Sequence, residues 1–338
     1  MQVCAAAAEK GSSVTDFSAA VSSATGEPAP VRERPMDAMQ DEGLFDVQVP
    51  TVSLADDFLV PPFSVLDRRQ GLWQDRKRRW LADYAIKSEV GRDDKLTFQF
   101  ADNDFGRQMA GRVGETSVFD PVLCELVYRW FTRPGARVLD PFCGGSVRGI
   151  VASVLGCSYT GVDIRQEQID ANKAQAGLCT GPTPWWIVGD ATNLDNSITG
   201  YTYDLVFSCP PYADLEVYSD DPRDISSWTY DEFVDGHAKA IRDSCRRLAD
   251  NRYAVWVIGD VRDKDGTYRG LHHETVKAFT ASGLKVMNEC VLVDPAGTAP
   301  VRSRRPFEAN RKVTLTHQHV LVFVKGDARK AADWVSGK

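Results

Sequence analysis

The sequence predicts an α/β protein whose body is an open, mostly parallel sheet ending in an antiparallel pair. Three observations predict it. From about Phe119 short apolar runs alternate with helix-like stretches, as in chains that lay helices on both faces of a sheet. Several of those runs end in an acidic or glycine-rich turn, the place where open α/β sheets bind ligands. The last two runs, Lys285 to Val293 and His317 to Lys325, follow each other with only a long loop expected between them.

The elements follow in order. Residues 1–50 are rich in Ala, Ser, Glu, Asp and Pro without a sustained apolar period and are expected to be disordered. Residues 51–118 form an extension. Within it Trp73, Trp80 and Leu81 at helical spacing give an apolar stripe beside Arg76, Lys77, Arg78 and Arg79. That basic face reads either as a solvated helix surface or as a contact to nucleic-acid phosphates. The main domain spans 119–328. Its strands are expected at Ala136–Asp140, Tyr159–Ile164, Trp185–Val188, Tyr203–Phe207 and Tyr253–Ile258, before the final pair. Helices are expected from about Ser146, through Gln166–Ala176, over Tyr230–Ala249 and at His273–Ala281. Residues 329–338 read as a tail.

Composition narrows the classes. The 338 residues are 43% hydrophobic and 26% charged, the balance of a globular protein. A net charge of -7 means that a nucleic-acid partner has to be met by a local basic face. The eight cysteines show no CxxC pair and no histidine at metal-ligand spacing, which reads as free thiols in a reducing, cytoplasmic setting with no metal. No run reaches the length of a membrane span, so no membrane partner is expected.

The chemistry concentrates at strand ends. Asp140-Pro141-Phe142-Cys143-Gly144-Gly145-Ser146 turns the first strand into the first helix, where glycines let a ligand approach the backbone and the helix start offers free N–H donors. Asp163-Ile164 closes the second strand with a carboxylate suited to ribose hydroxyls, and Asp190-Ala191 closes the third with one suited to an adenine amino group. The fourth strand runs into Cys209-Pro210-Pro211-Tyr212, where two prolines stop the ladder and present a thiol and a phenol at the sheet edge.

These segments (DPFCGG, VDI, GDA and CPPY, in this order and spacing) resemble the motifs of class I S-adenosylmethionine-dependent DNA methyltransferases, over about residues 117–326. The similarity is greatest to the amino-methyltransferase branch. It implies a seven-stranded Rossmann-like sheet, S-adenosyl-L-methionine as cofactor and double-stranded DNA as partner. It also implies a cofactor site lined by Phe119, Pro121, Asp140, Pro141, Phe142, Gly144, Gly145, Asp163, Ile164, Asp190 and Ala191. The family's glycine-serine-glycine reads Gly144-Gly145-Ser146 here, a departure within the loop.

Cys209 is the larger departure, because the amino branch carries Asp, Asn or Ser there to accept from the target amino group. A thiol is a poor acceptor but, once ionised, a good nucleophile. Methylation of cytosine at carbon 5 needs such a thiolate at carbon 6 and a donor at ring nitrogen 3, a part open to Asp260 at the end of the fifth strand. The sequence reading therefore places carbon-5 methylation first, with Cys209 as nucleophile, Asp260 at the ring and Tyr212 stacked on the flipped base. Exocyclic amino methylation, with Ser208 or backbone carbonyls accepting, is the alternative. A catalytically inactive DNA-recognition subunit is the reading from another class, and RNA is a further possible substrate. Arg302, Arg304, Arg305, Arg311 and Lys312 in the late loop, with Arg76, Arg78 and Arg79, are the candidate DNA contacts. The acidic segment Ala213 to Trp228 is expected to close over the base.

Overall fold

The structure, a computed structural model, describes residues 54–84, 86, 119–213, 217–297 and 299–338. The expected disorder of residues 1–50 lies outside the described residues, as do Asp214 and Glu216 of the acidic segment.

In chain order the elements are α1 (Leu54–Phe58), β1 (Val65–Asp67), α2 (Gly71–Tyr84), α3 (Pro121–Phe131), β2 (Arg137–Asp140), α4 (Val147–Val154), β3 (Ser158–Asp163), α5 (Gln166–Ala174), β4 (Trp185–Val188), β5 (Tyr203–Ser208), α6 (Tyr230–Arg247), β6 (Leu248–Ile258), α7 (Leu271–Ala281), β7 (Leu284–Val293), α8 (Ala299–Asn310), β8 (His317–Lys325) and α9 (Ala328–Ser336). The sheet order is β1-β7-β8-β6-β5-β2-β3-β4. Every neighbouring pair is parallel except the two made by β8, which runs against both β6 and β7. This is the Rossmann-like methyltransferase sheet that the motifs imply, with the antiparallel pair in place. From β2 the strand order runs one way through β3 and β4 and the other way through β5, so the β2–β5 boundary is the switch point where such sheets bind ligands.

Three features go beyond the sequence reading. The sheet has eight strands, because the extension adds β1 in register Val65↔Val291 to Asp67↔Val293. The stretch expected to be a loop between the last two strands contains α8, and the expected tail forms α9, capped by Asp327 and ended by left-handed Gly337.

The pleat explains the core. Along β2, β5, β6 and β8 successive side chains pass to opposite faces. Val138, Leu205, Phe207, Val255, Val257, Val320, Val322 and Val324 join the first cluster, with α3, α4 and α9. Leu139, Val206, Ala254, Trp256, Ile258, Leu321 and Phe323 join the second, with α6 and α7. Helix starts are set locally. Asp120 accepts from the Val122 N–H with Pro121 at the first position of α3, and Thr229 with Glu232 forms a capping box at α6. No helix of the described residues is long and apolar enough to cross a membrane.

His237 of α6 is buried between Phe233 and Trp256 of the second cluster and accepts from Trp256 Nε1 at 3.0 Å. Burial pushes its pKa from 6.5 down to about 3. The folded protein thus refuses a proton that the unfolded chain takes up as pH falls below 6.5. Stability supplied by this residue is complete above that value and is lost progressively as pH falls towards 3. In urea unfolding between pH 7 and 4, His237→Gln should flatten this dependence; an unchanged slope would contradict the assignment.

Candidate active site

A cavity of about 360 Å³ opens at the switch point. The tips of β2, β3, β4 and β5 supply most of its wall, and Phe119, Asp120 and the segment around Tyr218 to Ile225 enclose it. Of the residues expected in the cofactor site, Phe119, Pro141, Phe142, Gly144, Gly145, Asp163, Ile164, Asp190 and Ala191 lie on this wall. So do Cys209, Pro210, Pro211 and Tyr212. Two sets of residues that sequence reasoning proposed separately therefore face one space.

Asp140 and Pro121, also expected in the cofactor site, are not among the residues that line this cavity. Asp140 shares the face of β2 taken by Val138, so the pleat turns it under the helices. It is fully buried and accepts from Arg148 Nε at 2.5 Å, Tyr159 Oη at 2.6 Å and Ser208 Oγ at 2.6 Å. Arg148 in turn donates through Nη2 to the carbonyls of Phe142 and Cys143, at 2.7 and 2.9 Å, and lies over the Phe119 ring. Ser208 is itself fully buried and spent on Asp140, so it is not open to a substrate amino group. Pro121 serves as the first residue of α3.

The glycine turn is held from above as well. Gly144 adopts φ +47° and donates its N–H to Asp163 Oδ2 at 3.1 Å, while its carbonyl accepts from Asn172 Nδ2 at 2.6 Å. Asp163 Oδ1 takes the Arg165 N–H at 2.9 Å, and Asp190 Oδ1 takes the Thr192 N–H at 2.7 Å. Asp190 Oδ1 also accepts from the Thr192 hydroxyl at 2.8 Å. At the start of α4 the Ser146 hydroxyl is buried, lines the cavity and has no hydrogen-bond partner. An unpaired buried hydroxyl beside a helix start and a left-handed glycine is a cradle that fits the polar end of an amino-acid-bearing nucleoside.

At the other end of the cavity Cys209 Sγ lies 3.4 Å from Tyr212 Oη, which donates to Gln318 Oε1 at 3.0 Å. Burial pushes the Tyr212 phenol well up, so it stays a neutral donor. Gly259 makes room for it, because a Cβ there would meet the Tyr212 ring at 3.0 Å. Gln318 Nε2 donates to Asp294 at 3.2 Å, Arg68 bridges Asp294 and Asp120, and Lys77 reaches Asp120 at 3.3 Å. The extension is thereby tied to the cavity wall through Arg68. Gln318 lies in the polar start of β8, between His317 and His319 and ahead of the apolar run of residues 320–324, and lines the cavity.

Asp260 is not among the wall residues. Its Oδ1 accepts from the Val261 and Leu271 N–H groups, at 2.8 and 3.0 Å, which commits it to the entry of α7. The basic stretch of α2 divides. Arg76 turns inward onto fully buried Glu125, donating at 2.7 and 2.5 Å beside the Trp80 indole, whereas Arg78 pairs with Asp75 and Arg79 is exposed. Arg302, Arg304 and Arg305 stand exposed on α8, with Arg304 to Glu308 at 2.9 Å. Arg311 follows in the left-handed region and Lys312 is half-buried. None of the described cysteines is in a disulfide. Arg223 lines the cavity mouth and holds Asp221 down at about 2.

No protein-family model matches the chain. Over 82 residues it is 31% identical to tRNA (guanine(10)-N2)-dimethyltransferase of Pyrococcus abyssi, a match covering 24% of this chain and 25% of that enzyme. The chain thus spans about a quarter of the curated relative. Among solved structures it is similar to TrmN from Thermus thermophilus (16% identity, 61% of this chain and 49% of TrmN, TM-score 0.43). It is also similar to the magnesium protoporphyrin IX methyltransferase ChlM from Synechocystis PCC 6803 with bound SAM (15% identity, 71% of this chain and all of ChlM, TM-score 0.41).

Replacing Arg148 by Met should strand the Asp140 charge in the interior and cost about 3–5 kcal/mol. Urea unfolding measures it; a loss below about 1 kcal/mol would mean that Asp140 is held by its other partners alone.

Proposed function

We propose that this protein is an S-adenosylmethionine-dependent methyltransferase acting on an exocyclic amino group of a nucleobase. The reading is carried by one observation: the carboxylates at the tips of β3 and β4 and the Cys-Pro-Pro-Tyr segment after β5 line one cavity. S-adenosylmethionine, when bound, supplies a methyl group made electrophilic by its sulfonium. Asp163 and Asp190 accept from the nucleoside half, and Ser146 with the start of α4 binds the amino-acid end. Phe119 and Arg148 close the cavity below. The Pro210 carbonyl accepts from the target amino group, and Tyr212, fixed by Gln318 and by the space at Gly259, stacks on a base turned out of its helix. Tyr218 and Arg223 bring the acidic segment to the mouth, where it excludes water.

Placing the amino group first reverses the order taken from sequence, and Asp260 is the reason. The carbon-5 reaction needs a donor at the ring, and this carboxylate is an acceptor for two backbone N–H groups away from the wall. The carbon-5 reading keeps one observation in its favour, the Cys209 thiol on the cavity wall. DNA is the polymer favoured by the motif resemblance; the enzyme name of the Pyrococcus relative specifies tRNA, and both belong in the assay.

Methyl-labelled S-adenosylmethionine with DNA or tRNA, followed by nucleoside mass spectrometry, should place label on an amino nitrogen of one polymer. Absence of label from both would remove the proposal. In the same assay Cys209→Ser should keep or raise activity. Its abolition, with a covalent adduct on 5-fluorocytosine DNA, would restore carbon-5 chemistry.

The exposed arginines of α8 are proposed to neutralise phosphates. Arg304→Ala with Arg305→Ala should weaken polymer binding and lower the slope of log affinity against log salt by about 0.9 for each phosphate no longer neutralised. An unchanged slope would return α8 to plain solvent exposure.

A further inference from the structure

Four of the five histidines of the chain gather on one side of the sheet, His272 and His273 from α7 and His317 and His319 from β8. His272 lies in the first turn of α7, Glu289 on β7 and His319 on β8. Glu289 Oε1 is 2.9 Å from His319 Nδ1 and 3.2 Å from His272 Nε2. One donor atom from each of the three residues lies within 4.8 Å of the other two. The His272 and His319 rings face each other with centroids 4.3 Å apart. His272 Nε2 is buried and forms no hydrogen bond in spite of its short approach to Glu289, so a ring nitrogen points into the cluster unused. His317, two residues before His319 on the same side of β8, brings its ring centroid to 5.3 Å from that of His319.

We propose that His272, Glu289 and His319 bind a borderline first-row divalent cation, Zn²⁺ being the best match, with water or His317 completing the shell. Two imidazoles and a carboxylate are the donor set such an ion takes. Bond lengths of about 2.0–2.2 Å in a tetrahedral shell set donors about 3.4 Å apart. The two Glu289 separations fall short of that by only a few tenths of an ångström, which small turns of the side chains supply. The scaffold is firm: β7 and β8 are paired without interruption from Asn288 to Val293, with Val291 opposite His319, and α7 is anchored by Asp260. Glu289 is 44% exposed, which gives the ion a way in. A bound ion joins α7, β7 and β8 directly beside Gln318, the residue that fixes Tyr212. The site shares no residue with the cavity, and the inference stands independently of methyl transfer.

The test uses the full chain, stripped with a chelator and titrated with Zn²⁺ against a fluorescent competitor, and separately with Co²⁺. One ion should bind per chain, and the Co²⁺ form should show visible bands of a nitrogen–oxygen site without the thiolate charge-transfer band that cysteine ligation gives. His319→Ala and Glu289→Gln should each weaken Zn²⁺ binding at least about 100-fold, beyond the 10–100-fold effect of removing only a ligand's hydrogen-bond partner. Melting in EDTA reports whether the variants fold; if one does not, the wild-type Co²⁺ spectrum decides. Absence of stoichiometric binding, affinity unchanged in both folded variants, or a thiolate spectrum would overturn the proposal and leave an ordinary hydrogen-bonded cluster.

Discussion

The buried pair of Asp140 and Arg148 is the constraint on which the rest of the architecture depends. It sits where β2, β3, β5 and α4 meet, and the carboxylate of β2 is bonded to a group from each of the other three. Such a pair adds little net stability over an apolar contact, because both ions lose their water. Its effect is geometric. By drawing the carbonyls of Phe142 and Cys143 down towards the core, Arg148 leaves the Gly144 N–H turned the other way, onto Asp163. The turn is therefore held by the Arg148 guanidinium beneath and the Asp163 carboxylate above, and together they fix the floor of the cavity.

The same logic governs the extension. Asp120 and Glu125, at the start of α3 and within it, are anions with almost no access to water, and α2 answers them with Lys77 and Arg76 and with the indole N–H groups of Trp73 and Trp80. A stretch that looks like a surface for an acidic polymer is, for half of its charges, the counterpart of buried acids. From Asp120 the chain of polar contacts runs through Arg68, Asp294 and Gln318 to Tyr212 and Cys209. This is continuity in space; energetic coupling along it is a separate property.

Most of the sheet was legible because its strands are dense in β-branched and aromatic residues with clear ends. Trp185–Val188 and His317–Lys325 match their expected bounds, and the others differ by a few residues. The exception is β6, which starts at Leu248, well before the apolar run. Helix α8 was illegible since Pro300, Pro306 and three arginines break any apolar period, and only Ala299 of it is buried. Strand β1 is three residues long, too short for a pattern. In the site, the acids at the tips of β3 and β4 were legible from their strands, whereas the inward turn of Asp140 was not. The signal was Arg148, a lone charge in the apolar run Val147-Arg148-Gly149-Ile150-Val151, which demands a buried partner. The histidine cluster left no trace in spacing because its members come from three separate elements.

The short strand β1 also bears on how the molecule coexists with its own copies. It covers only Val291 to Val293 of β7, so the outer ladder of Leu284 to Cys290 has no strand beside it among the described residues. An uncovered ladder of that length invites strand addition from a neighbour. Here the irregularity between Val286 and Asn288 breaks the repeat, and Lys285 and Glu289 place charge along it. One kink and two polar side chains thus interrupt a border where the exposed Val286 and Met287 would otherwise offer a continuous apolar seam to a neighbouring copy.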